Sequence, residues 1–208
     1  MTELTKEQYW KNYISGDLCR FHSEQFMEWW DAKKFDWSHS DLLAEYCSEY
    51  ISIWWDASKF NWKTGSDSLA LYCSSSISMW WDASKFNWNK AWALTVSCSD
   101  YMNVWWDADL FPWKERSLFL AQNCADHFVE WWDASKWNWE KCTDSLIQHC
   151  PDYFDIWWDA EKINEKYLVV IVKRFGDKLE YNFLKRLVFS ANQKIRTYAK
   201  NAIERRSL

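Results

Sequence analysis

The sequence predicts an all-α protein, a right-handed α-solenoid of six short helical repeats of 25–26 residues closed by helical caps. Three observations predict it. A tryptophan pair followed by aspartate and alanine recurs six times, with its first Trp at 29, 54, 80, 105, 131 and 157, and a fixed period in this range marks a stacked array. Aligned on that Trp, a Leu stands eleven residues before it (Leu18, Leu43, Leu69, Leu94, Leu120, Leu146). His22 or a Cys (Cys47, Cys73, Cys98, Cys124, Cys150) stands seven before, and an apolar residue three before. Steps of 4, 4 and 3 are the buried stripe of helical segments, not the alternation of a strand. Finally, 3 Gly and 2 Pro in 208 residues leave too few breakers for a turn-rich β fold.

The elements follow in order. Residues 1–14 form an N-terminal capping helix, with Thr5 and Gln8 as a capping box. Residues 15–164 hold the repeats. Three residues before each Leu stands Ser15, Ser40, Ser66, Ala91, Ser117 or Thr143, mostly good N-caps for the first helix of a repeat. Pro151 suits the first turn of a new helix after Cys150. Each repeat is therefore read as two short helices or one helix with a break, an unbroken helix staying open for repeats one to five. The aspartates of the motif, Asp31, Asp56, Asp82, Asp107, Asp133 and Asp159, are structural caps of a short turn. The second Trp before each of them packs on the residue four after it (Phe35, Phe60, Phe86, Phe111, Trp137, Ile163) as a hydrophobic staple. On this reading Trp-Trp-Asp-Ala is a building device. After Asn164 the period is lost. Residues 165–208 read as a basic cap of three helices, one ending before Gly176, one starting at Asp177 with Glu180, and one starting at Ser190 with Gln193.

The layout resembles the α-solenoid class, such as HEAT or the shorter leucine-rich variant repeats, although its period is shorter than HEAT or tetratricopeptide units. The resemblance implies architecture only.

Charge is uneven. The net charge is −5, with 13 Lys+Arg against 25 Asp+Glu in residues 1–160 and 12 against 5 in residues 161–208. Seven cysteines, an odd number with no apparent signal peptide, suit reduced thiols and a cytoplasmic location. The longest aliphatic run, Leu168–Val172, is too short for a membrane span. No phosphate loop or nucleophile–base pair stands out. His149 and Cys150 with Cys142 match no common zinc spacing. Neither an enzyme, a metal nor a cofactor is expected.

The expected function is a non-enzymatic scaffold for another protein with a basic face. Its candidate partner-binding residues are Tyr46, Tyr50, Tyr72, Tyr101 and Tyr153, with Glu45, Glu49, Asp100, Asp126 and Asp152 as the freer carboxylates. Two alternatives are kept. One is nucleic-acid binding through candidate anion-binding residues Lys173, Arg174, Lys178, Lys185, Arg186, Lys194, Arg196, Lys200, Arg205 and Arg206. The other is acidic mimicry of nucleic acid. The acidic body and basic end also allow head-to-tail self-association.

Overall fold

The computed structural model describes residues 4–206. Positions 1–3 of the expected N-terminal cap and 207–208 of the expected C-terminal cap lie outside the described residues. All regular structure among the described residues is helical, with no strand. No described helix is long and apolar enough to cross a membrane. The chain divides into two compact units, Met1–Pro112 and Trp113–Leu208.

The second repeat shows how a unit is made. Helix Ser40–Tyr46 ends at Cys47, whose N–H still reaches the Leu43 carbonyl at 2.9 Å. A 3-10 turn, Ser48–Tyr50, and one α-turn, Ile51–Trp54, follow. A helix break leaves carbonyls without their usual donors. Here the Cys47 carbonyl accepts the Tyr50 N–H at 3.0 Å and the Trp54 indole N–H at 2.8 Å. The first Trp of each motif repeats this bond at 2.7–2.8 Å, on His22 for Trp29 and on the Cys for Trp80, Trp105, Trp131 and Trp157. These six indoles are fully buried. Phenylalanine would keep an aromatic ring there but leave a cavity and that carbonyl one donor short. Each repeat thus has two helical segments broken at the Cys or His, and Pro151 opens the second segment of repeat six.

The Ser/Thr column does not cap helices. In repeats three, five and six the first helix begins earlier, at Trp62, Trp113 and Trp139. Ser15, Ser40, Ser66, Ser117 and Thr143 are buried. Within the first unit their hydroxyls face the neighbouring repeat. Ser15 Oγ accepts the Asp36 N–H at 2.9 Å, Ser40 Oγ that of Asn61 at 2.9 Å, and Ser66 Oγ that of Asn87 at 3.0 Å. The true N-caps stand in that Asp/Asn column, where side chains of Asp36, Asn87, Asn138 and Asn164 accept first-turn N–H groups. The fourth repeat departs at both ends of this bond. Ala91 replaces the Ser, and Pro112, 21 residues on, has no N–H to offer. The donor and its acceptor are lost together.

In the first unit, helix Ser15–His22 packs on Ser40–Tyr46, that on Trp62–Tyr72, and that on Ala91–Ser97. Gly65 lets the Phe60 ring lie against its helix, since a Cβ there would come within 2.6 Å of the ring. Helix Lys6–Asn12 carries the Thr5–Gln8 capping box and donates the Trp10 indole N–H to the Trp29 carbonyl at 2.7 Å. In the second unit, helices Trp113–Asn123, Trp139–His149 and Glu165–Phe175 pack in succession. Phe175 stacks on Phe154 at 4.3 Å, as Tyr153 stacks on Phe128 at 4.5 Å. Helix Gln193–Arg205 covers both Glu165–Phe175 and Tyr181–Leu187. The expected starts of the last two helices shift. Glu180 precedes Tyr181–Leu187 without a side-chain cap bond, and Asn192, not Ser190, caps the final helix. Asp177 instead pairs with Arg205 at 3.0 Å, an attraction available only across the fold.

Candidate functional site

The motif residues are bound up in construction. Each motif Asp accepts, at 2.8–3.0 Å, the N–H two residues on, at Lys33, Ser58, Ser84, Asp109, Ser135 and Glu161. The second Trp lies 5.2–5.5 Å from the staple ring in repeats one to five. The Ser58 hydroxyl, 2.6 Å from Asp56, holds that carboxyl down to about 2, with help from the Ser58 N–H and Lys59. Ser84 and Ser135 likewise lower Asp82 and Asp133. Such carboxylates are poor proton carriers near neutral pH.

All seven cysteines are buried free thiols. Burial pushes Cys73, Cys98 and Cys150 up to about 12, and Cys142 also rises. Cys19 rises through its hydrogen bond with Cys47. Thiols of Cys73, Cys98 and Cys150 lie 3.4–3.8 Å from the carbonyls of Ala44, Ala70 and Ala121 in the preceding repeat, where they donate. Among the described residues, no three His, Cys, Asp or Glu side chains converge as a metal site.

What remains for recognition is the outer surface. In the first unit, the residue five before the first Trp is Glu24, Glu49, Ser75 or Asp100, all exposed on the short 3-10 turns. Four positions further, one turn of helix away, stand Glu28, Ile53, Met79 and Val104. Ile53 is 47% exposed, Met79 48% and Val104 38%, so an apolar row flanks an acidic one. Glu49 and Tyr72 line one cleft of about 280 Å3 with Ser48, Ser75 and Ser76. The second unit has the same pairing of Asp152 with exposed Ile156, while Asp126 is followed by Val129 and Glu130.

Other expected partner-binding residues are placed differently. Tyr50 and Tyr153 are half-buried and stack on Phe26 and Phe128 of the preceding repeat at 4.6 and 4.5 Å. Glu45 is half-buried and hydrogen-bonds Tyr46, raising that phenol's pKa. Tyr46 and Tyr101 are exposed. Glu24 belongs to the acidic row although sequence reasoning passed over it; the repeat alignment alone contains that signal.

Much of the basic set is tied up within the cap or against repeat six. Arg174 donates to the Ile147 carbonyl at 2.6 Å, and Arg196 to the Ser190 and Ala191 carbonyls. Arg206 reaches the carbonyls of Gly176, Asp177 and Leu179. Lys178 pairs with Asp155 at 3.5 Å, and Arg205 with Asp177. Lys185 lies over the Tyr181 ring and Arg186 over Phe183. Lys173, Lys194 and Lys200 are exposed. Lys185 and Lys200 share a cleft of about 410 Å3 with Tyr181, Val188, Phe189 and Ile203, and Glu204 lines it too.

Comparison with protein families, curated proteins and solved structures finds no match to this chain.

Proposed function

We propose that this chain is a non-enzymatic α-solenoid scaffold that binds a partner protein through a basic segment bearing apolar side chains. The observation that carries the reading is the cleft lined by Glu49, Tyr72 and Ser75, together with exposed Ile53 and Met79 four residues after Glu49 and Ser75. A carboxylate, a phenol and hydroxyls suit an arginine or lysine head group. The adjoining row suits the partner's apolar residues. The solenoid architecture is supported by the packing of successive first helices and by the Ser-to-Asn bonds between repeats. Seven buried free thiols support a reducing, cytoplasmic setting.

The test measures binding of an amphipathic Arg- and Leu-containing peptide to the full chain. Glu49→Gln with Asp100→Asn should weaken binding and flatten its salt dependence, and Ile53→Ser with Met79→Ser should weaken it without changing that dependence. These positions are exposed, so the fold should persist, as the thermal midpoint checks. Equal binding by both variants would overturn the reading. So would retention of duplex DNA or RNA lost on changing Lys173, Lys194 and Lys200 to Gln, because function would then belong to the basic end. Competition with DNA for a nuclease identifies mimicry, and concentration-dependent mass identifies head-to-tail assembly.

A further inference from the structure

The staple position holds Phe35, Phe60, Phe86 and Phe111 in the first four repeats, but Trp137 in the fifth. The change introduces a polar atom, and it is unpaired. Trp137 is 4% exposed, and its indole nitrogen is the only buried side-chain N or O among the described residues without a hydrogen-bond partner. Buried donors almost always find an acceptor, so a native exception requires an explanation. The ring itself forms part of the wall of an open cavity of about 490 Å3, within the ordinary size of a small-molecule site.

The rest of the wall defines the ligand. Trp113 and Trp139 supply two more indoles, and Lys114, Lys136 and Lys141 supply ammonium groups. Asn138 brings no spare polarity, since its amide N–H bonds the Lys114 carbonyl at 2.7 Å and its oxygen accepts the Lys141 N–H. The cavity lies at the N-terminus of the eleven-residue helix Trp139–His149, where the backbone favours negative charge. Against this stands one exposed carboxylate, Glu140, and Lys136 also faces Asp133. Cations and donors still outnumber acceptors.

We propose that this cavity binds a planar aromatic carboxylate, its ring against the indoles and its carboxylate taking the Trp137 N–H and the ammonium groups of Lys114 and Lys141. The indole nitrogen is shut off from solvent, so entry displaces part of the wall. The proposal is independent of the peptide-binding face.

The experiment is an NMR titration of the full chain, labelled at the indole nitrogens, with 2-naphthoate. Trp137→Phe identifies the Trp137 resonance by its disappearance and should fold, because Phe is the residue of four other repeats. Naphthoate should move that resonance saturably. Trp137→Phe should bind about ten-fold more weakly, the scale of one hydrogen bond to a charged acceptor. Lys114→Gln with Lys141→Gln should weaken binding similarly while keeping the indole signal. An unmoved Trp137 resonance, or undiminished affinity in Trp137→Phe, overturns the proposal. Inorganic phosphate or neutral 2-naphthylmethanol binding as tightly as naphthoate also overturns it, since either would dispense with half of the recognition.

Discussion

Each serine-backed motif carboxylate is held by a backbone N–H, a hydroxyl and a lysine at once, and this sets how acid acts on the fold. Asp56 titrates near 2 in the folded chain against an ordinary value of 3.8. The unfolded chain therefore takes up its proton first as pH falls. The contribution of this group is fully present above the ordinary value and is lost as pH drops through about 2. Asp82 and Asp133 are lowered too and act in the same direction. Denaturant midpoints measured between pH 5 and pH 2 should fall steadily, and Asp56→Asn should make that decline shallower. An unchanged slope would mean that the Ser58 and Lys59 contacts do not favour the charged form.

The helical stripe of a repeat was legible in the sequence, because a 25–26-residue unit has few ways to bury Leu, Cys and Trp, whereas the break at the Cys or His was marked only by Pro151 in repeat six. The Thr5–Gln8 capping box was legible too, but the caps of the repeat helices were not. Ser and Asn are both capping residues, and sequence alone does not say which of the two turns toward the neighbouring repeat. The bond that decides it joins residues 21 positions apart, as in Ser66 and Asn87. It yields a double-mutant prediction. Pro112→Asn alone should be costly, because it restores an N–H opposite Ala91 with no acceptor. Adding Ala91→Ser should recover about 1 kcal/mol, the usual net value of a hydrogen bond. Urea midpoints of both single variants and the pair decide it, and simple additivity would remove the bond from the account. The outer surface was legible only in part. Ile53, Met79 and Val104 look like core residues until the helix is placed, and the carbonyls gripped by Arg174 and Arg206, 27 and 30 residues away in sequence, come within reach only in the folded chain.

Over the whole molecule, stability should depend on where the stripe is cut. Leu94 is fully buried, so Leu94→Ala should cost ~2–5 kcal/mol, as large-to-small core changes do. In an array each repeat leans chiefly on its neighbours, so the loss should also broaden unfolding or split it into two steps. Asp100→Ala, at an exposed position, should leave calorimetric melting almost unchanged. The tryptophan pairs have a consequence of another kind. In repeats one to five the two indoles of the motif lie 5.9–6.1 Å apart, with planes crossed at 71–82°. Chromophores this close, skewed alike each time, share their excited states and rotate polarised light together. Their couplets will be superimposed on the helical bands of a circular dichroism spectrum, and helix content read from those bands alone will be in error. Excitation will also migrate among the indoles before emission, so fluorescence reports the row as a collective antenna rather than any one ring.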